Sequence, residues 1–360
     1  MAVRRNTSLV ALDVGRATLR LFQVDGERVA ARELPCEVFQ SDPVSGTPDA
    51  GGLGAGLRAA LADGEFRGAR CSLTLPASCF LTDTAPIAEL EGQERMERLA
   101  WEAVDRFGLE REAMSVGALR LADPPPPPAG QAPLPPTSPS AGPDHLLMAV
   151  RRTTVSAVVD PVIAAGLVPV RLECAALAGL RTAWAWWRRQ GAGPFGFVHV
   201  EPTCAWLLLV RDGTVAFQRA STGEYAPSIV APAAADPNAI PVDMPLVGSG
   251  RRALKWSGLA DEVLQCLRHV ERKAPGQWPS GLMVSGPSSG DVELHATLES
   301  VCGVKVHPTT CAGLVHALPA TLPPGTWAAA LGAAAVDMDV STRVEPKPAA
   351  AAAPAGAKAA

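Results

Sequence analysis

Aromatic side chains are scarce in this chain of 360 residues: one tyrosine, eight phenylalanines and eight tryptophans. Its cores must therefore rest on aliphatic residues and alanine. Basic tracts are missing as well. Lysine and arginine number 32 against 36 aspartates and glutamates, a net charge of −4, and no stripe of cations occurs. That argues against a phosphate-tracking surface, so no nucleic-acid partner is expected. No CxxC pair exists among the eight cysteines, at 36, 71, 79, 174, 204, 266, 302 and 311. They lie mostly in apolar stretches and read as reduced, buried thiols of a cytosolic protein, not as a zinc site. Apolar runs of membrane-spanning length are absent. The first run, Leu9–Leu12, is cut by Asp13. Neither a signal peptide nor a span is expected, and any membrane role passes through a partner.

About half the residues, 48%, are apolar, enough for sizeable cores, and the length predicts two lobes. Residues 8–24, SLVALDVGRATLRLFQV, set two apolar runs on either side of Asp13-Val14-Gly15. This pattern predicts a β-hairpin. An acid closing the first strand and a glycine in the turn suit a phosphate and its metal. Gly15 admits backbone N–H groups close to an oxyanion, and Asp13 would hold Mg²⁺ through water. An ordinary tight hairpin with an acidic corner has the same pattern. The design recurs at residues 196–213, GFVHVEPTCAWLLLVRDG. Two such hairpins, one per lobe, would grip a nucleotide's phosphates between them. LMVSGPSSG (282–290), ahead of a helix, would be the adenosine contact.

Between these landmarks the chain alternates strands and helices. A strand is expected at Val29–Phe39, a loop at Gln40–Gly56 and a short helix at Leu57–Leu61. A strand at Ala69–Leu75 is stopped by Pro76, with Phe80–Ile87 as its partner. Glu89–Phe107 is the clearest helix, with one apolar stripe and pairs Glu94–Arg98 and Glu102–Arg106 at i,i+4 spacing. Strands at Ser115–Leu121 and His145–Val150 flank a proline-rich segment, 123–143. It can build neither ladder nor core and is expected to be disordered at a hairpin tip; PPPPP and PLPP would alternatively serve as a proline-recognition ligand. Helices follow at Thr153–Ala165 and Ala175–Trp187, the second ending in Trp184, Trp186 and Trp187. Lobe packing is the expectation for these rings, a partner contact the alternative. A boundary is placed at Gly191–Pro194. Beyond it come a helix at Leu259–Lys273, a strand at Leu282–Val284, a helix at Val292–Val301, a strand at Val304–His307 and a small-residue helix at Trp327–Val336. From Ser341 the Pro/Ala/Lys tail is expected to be disordered.

With that pattern assembled, the sequence resembles the actin-like superfamily and, within it, the PilM-like pilus-assembly proteins. Four stretches carry the resemblance. LDVGRATLRL is similar to the family's first phosphate hairpin. SLTLPASCFLTDTAPIAELEGQERMERLAWEAVDRFGL is similar to its small inserted subdomain. LLMAVRRTTVSAVVDPVIAAGLVPVRLECAALAGLRTAW resembles its strand, helix, Ala-Gly-Leu and strand run. LMVSGPSSGDVELHATLESVCGVKV resembles its Ser-Gly-Gly nucleotide loop. The departures bear on the nucleotide. Asp13, Gly15 and Thr18 match, but the family's Ser falls at Arg16 and its Lys at Arg20. In the second hairpin the family's Asp and Gly fall at His199 and Glu201. At an effective dielectric of 20, two like charges about 4 Å apart repel by roughly 4 kcal/mol, so Glu201 would oppose a triphosphate. The Ser-Gly-Gly loop has become Ser285-Gly286-Pro287. The stretch after Gly223 lacks the family's Gly-Gly-Asp run.

The resemblance implies a two-lobed, actin-like (ribonuclease H-like) α/β fold with a cleft between the lobes. The first lobe would span 1–190, with an inserted subdomain at about 35–150. The second would span 191–340 with a reduced outer subdomain, followed by the tail 341–360. It further implies a cytoplasmic scaffold or adaptor, peripheral to the inner membrane, in a pilus or type II secretion-type assembly. Its partner would be the cytoplasmic tail of a bitopic, PilN-like protein, with self-association left open. ATP and Mg²⁺ binding would be weak or lost. Any surviving contacts would be Asp13 (phosphate and metal), Gly15 and Thr18, with Ser285 and Gly286 near adenosine. The competing class is a small-molecule kinase or phosphohydrolase of the same superfamily. Such an enzyme needs a general base, and Asp83, Asp160 and Asp243 are its loose options. A cell-division protein of the actin-like type would carry an amphipathic membrane helix, which the tail lacks. Single histidines, His199 and His295 among them, read as surface or satisfied core residues.

Overall fold

The computed structural model describes residues 9–25, 28–36, 38–39, 51–88, 90–123, 142–190, 193–225, 248–310 and 325–335. The chain begins with the antiparallel strands β1 (Val10–Val14), β2 (Thr18–Asp25) and β3 (Arg28–Pro35). Helix α1 (Gly51–Leu61) crosses to β4 (Arg70–Leu75), which lies parallel to β1. An insertion follows, made of β5 (Leu81–Pro86), α2 (Gly92–Phe107), β6 (Met114–Arg120) and β7 (Asp144–Arg151). Helix α3 (Arg152–Ala164) then leads into β8 (Val168–Cys174), parallel to β4. The resulting sheet has the order β3-β2-β1-β4-β8. β1 is buried along its whole length, as befits a central strand with neighbours on both sides.

Helix α4 (Ala175–Gln190) carries the chain to a second sheet of the same design. Its strands are β9 (Phe195–Val200), β10 (Cys204–Arg211) and β11 (Thr214–Thr222), then α5 (Gly248–Lys273), β12 (Gly281–Ser285), α6 (Val292–Cys302) and β13 (Lys305–Pro308). The order is β11-β10-β9-β12-β13, again three antiparallel strands joined to two parallel ones. Asp212 and Gly213 turn β10 into β11 with positive φ at both positions (50° and 79°), the backbone that an Asp-Gly hairpin turn demands. The duplicated hairpin seen in the sequence is thus a duplicated sheet, one in each of two lobes.

The two lobes exchange helices. The last helix among the described residues, α7 (Ala328–Ala334), packs on the first sheet, where Trp327, Ala330, Leu331 and Ala334 meet Ala11 and Phe22. In return, α4 covers the second sheet, with Ala176, Leu180, Ala183 and Trp187 against Phe195, Phe197, Trp206 and Met283. The tryptophans expected near the end of α4 serve this packing: Trp184 and Trp187 both stack on Phe195, with ring centroids 6.2 and 5.0 Å away. Between α4 and α7 runs a seam of small residues, Ala175, Ala178 and Ala329, with Gly332 set directly against the Ala178 carbonyl.

Three expectations change. The strand following Pro76 does not pair with β4, which is already flanked by β1 and β8. β5 pairs instead with β7, in a separate antiparallel sheet of order β5-β7-β6. Helix α1 starts at Gly51, well before Leu57: Leu53 and Leu57, one turn apart, are both fully buried, and that burial outweighs the poor helix propensity of the glycines. In α2, Arg98 turns to Glu102 rather than Glu94, while the Glu102–Arg106 pair forms at 3.4 Å. The pairing of β6 with β7 agrees with the two strands read on either side of the proline-rich segment. Most of that segment (124–141), the stretch read as a reduced subdomain (226–247) and the tail lie outside the described residues.

Candidate functional site

The two hairpin turns face each other across a cleft. Asp13, at the end of β1, and Glu201, just past β9, line one cavity, together with Gly15, Arg16, Arg20, Ser78, His199, Ser285, Gly286 and Gly325. Ala175 and Ala329, from the exchanged helices, also line it. Its volume is about 40 Å³. A few waters fit there, whereas pockets that enclose small organic ligands usually exceed about 300 Å³.

On the first-lobe side, the Gly15 N–H donates to the Thr18 carbonyl at 2.8 Å and closes the hairpin turn. A Cβ at Gly15 would come within 3.0 Å of that carbonyl oxygen. Asp13 is buried and fully engaged. Its Oδ1 accepts from the Thr74 hydroxyl at 2.7 Å, and its Oδ2 lies 3.4 Å from the Arg20 guanidinium. Arg20 also donates to Glu33 at 2.7 Å. Arg20 thus sets a counter-charge against the Asp13 carboxylate.

The second-lobe side is built around Glu201. Its backbone N–H donates to the Cys204 carbonyl at 2.9 Å and shapes the turn. Its carboxylate reaches the first lobe at the Pro76–Ser78 turn that follows β4. Oε1 accepts from the Ala77 N–H at 2.6 Å; Oε2 accepts from the Ser78 N–H at 3.2 Å and the Ser78 hydroxyl at 3.1 Å. His199 Nε2 lies 3.1 Å from Oε1, and the Cys204 thiol donates to Oε2 at 3.4 Å. Burial pushes the Glu201 carboxyl up. The hydrogen bond and charge of His199, with the Ala77 and Ser78 amides, outweigh it and hold the group below its ordinary value. The adjacent Cys204 thiol is driven well up by burial and by Glu201, which favours its protonated form.

The Ser285–Pro287 loop closes one end. Gly286 has φ +96°, and a Cβ there would meet the Val200 carbonyl oxygen at 2.3 Å, so only glycine fits against the second hairpin. Ser285 Oγ lies 3.3 Å from His199 Nδ1. Serine, histidine and glutamate therefore form a chain like that of a hydrolase, but Ser285 is fully buried and the Gly286 N–H is spent on the Gly325 carbonyl. The chain links the Ser285–Pro287 loop through His199 to Glu201.

Of the residues singled out in the sequence, Asp13, Gly15, Ser285 and Gly286 share the cavity lining; Thr18 supports the turn through its carbonyl. Asp83 lies in β5, exposed and paired with Arg106 at 2.6 Å, and Asp160 lies in α3; neither lines the cavity. Asp243 lies outside the described residues. His199 is buried with both ring nitrogens engaged, and His295 bonds the Ser289 carbonyl at 2.8 Å. The sequence reading missed the Pro76–Ser78 turn. Its one signal was a proline halting a strand directly ahead of a small residue and a serine.

No protein-family model matches the chain, and no curated protein matches it in sequence. Among solved structures it is similar to a chain of the PilM-PilN type IV pilus biogenesis complex. The TM-score is 0.67 at 18% identity, over 91% of this chain and 98% of that one. Weaker likenesses include a Bacteroides thetaiotaomicron protein of actin-like ATPase fold and unknown function (TM-score 0.46, 9% identity, 86% of this chain and 94% of that one). Another is the cytoplasmic domain of EpsL, an inner-membrane component of the type II secretion system of Vibrio cholerae (0.42, 12%, 78% and 83%). At these identities the likeness is one of fold: the chain has the two-lobed, actin-like fold.

Proposed function

We propose that this protein is a non-catalytic, actin-like scaffold of a pilus or type II secretion-type assembly. It binds the cytoplasmic tail of a bitopic, PilN-like protein and works at the inner face of the membrane without a functioning nucleotide site. One observation carries the second half of this reading: the cleft is filled by the chain's own side chains. Arg20 neutralises Asp13, Glu201 faces the place where phosphates would lie, and about 40 Å³ remains. A partner of the PilN kind is supported by the likeness to a chain from a PilM-PilN complex. No helix among the described residues is long and apolar enough to cross a membrane, which suits attachment through such a partner. We take the lobes as 1–190 and 191–340. Of the options read for a kinase's or phosphohydrolase's base, Asp83 and Asp160 do not line the cleft, and Asp243 lies outside the described residues.

Two measurements test the proposal. A ligand present at a hundred times its Kd stabilises a fold by about 2.7 kcal/mol, so Mg-ATP binding would register as a raised melting temperature. None is expected at millimolar Mg-ATP. A synthetic cytoplasmic tail of a PilN-like protein from the same organism should bind with one-to-one stoichiometry, with or without Mg-ATP. A clear Mg-ATP shift accompanied by hydrolysis would refute the empty-site reading, and failure of the tail to bind would refute the adaptor reading.

A further inference from the structure

Glu201 is bound from both lobes at once. Three of its donors, the Ala77 and Ser78 N–H groups and the Ser78 hydroxyl, belong to the first lobe. The other two contacts, His199 and Cys204, flank it on its own hairpin. A carboxylate taken out of water is costly unless its lone pairs are filled. Here both oxygens are engaged. Parting the second hairpin from the Pro76–Ser78 turn would leave two backbone N–H groups unmatched on one side and a buried charge on the other. His199 is the positioning residue: with Nδ1 on Ser285 and Nε2 on Oε1, it aims the carboxylate at the turn. Other ties between the lobes do not depend on this contact. They include the seam between α4 and α7 and the Ala122 N–H to Val215 carbonyl bond at 2.7 Å.

We infer that Glu201 is a built-in latch: the chain's own carboxylate bridges the second hairpin and the Pro76–Ser78 turn of the first lobe, as an anionic ligand would, and keeps the cleft shut with no ligand bound. The inference rests on the reading of this cleft as one that has lost its nucleotide. It adds that one side chain, Glu201, ties the second hairpin to the Pro76–Ser78 turn across the cleft.

Native-state amide exchange on the full chain tests it. In Glu201→Ala, exchange at the Ala77 and Ser78 amides should rise about tenfold or more, while the Leu282 and Val284 amides in the second sheet stay protected. His199→Ala should give a smaller rise at the same two amides. Unchanged exchange at Ala77 and Ser78 in Glu201→Ala overturns the latch. Should that variant lose protection throughout, Glu201→Gln replaces it, keeping size and one acceptor. Faster exchange at Ser78 than in the wild type then supports the latch, and wild-type rates at both amides overturn it. Calorimetry of the wild type with Mg-ATP is a separate arm: saturable binding overturns the lost-nucleotide reading, whatever the exchange data show.

Discussion

Gly332 on α7 lies against the backbone of Ala178 on α4 so closely that an added Cβ would sit 1.7 Å from the Ala178 carbonyl oxygen. Backbone cannot yield as a flexible side chain does. Gly332→Ala should therefore destabilise the protein by more than about 4 kcal/mol, or force the seam apart, read by urea unfolding. Gly258→Ala, on α5 with open space around it, should instead stabilise by about 0.5–1 kcal/mol. Equal effects at both sites would contradict the seam.

A second prediction concerns Arg20. Its side chain is nearly buried between Asp13 at 3.4 Å and Glu33 at 2.7 Å. Removing one partner of a buried pair strands the other charge. Arg20→Met should cost about 3 kcal/mol or more, and the double variant Arg20→Met, Asp13→Asn should recover part of it. A double variant no better than the single one would show that the pair is not coupled.

The third prediction follows from Glu201. Its folded pKa lies below its ordinary value, where an unfolded glutamate titrates at about 4.3. The stability it contributes is thus fully present above that pH and is lost as pH falls through the lower folded value. The gap in melting temperature between wild type and Glu201→Gln should stay flat from about pH 8 to 5 and close below about pH 4. Narrowing between pH 7 and 5 would place the controlling titration in a group other than Glu201.

A fourth contrasts two tryptophans. Trp206 is 1% exposed on the second sheet, whereas Trp101 on α2 is 64% exposed. Trp206→Ala should cost about 3–5 kcal/mol, and Trp101→Ala should change stability by no more than about 0.5 kcal/mol, both by chemical denaturation. A large loss at Trp101 would mean that this ring is covered in solution, for instance by a second copy of the chain.

The local design was legible in the sequence because it is written in short-range patterns. Apolar runs on either side of Gly15 and of Glu201-Pro202-Thr203 gave both hairpins, and the Asp212-Gly213 turn fixed the third strand of the second sheet. What those patterns could not carry was partnership. The strand after Pro76 is plain as a strand, but nothing local says that it pairs with residues 144–149 rather than with its neighbour. Nor does an alanine-rich helix announce which sheet it covers, since small residues allow close approach to almost any backbone. Glu201 shows the same limit in electrostatics. Alone in a hairpin it reads as a charge repelling phosphate. Its stabilising donors come from Ala77 and Ser78, more than a hundred positions away.

The exchange of α4 and α7 also bears on synthesis. One face of the first sheet stays bare until residues 328–334 have been made and have folded back onto Ala11 and Phe22. A nascent chain leaving the ribosome therefore lacks this cover for the first sheet until that helix has been made. Any product truncated before that point should be a client for chaperones and proteases rather than a working half-molecule.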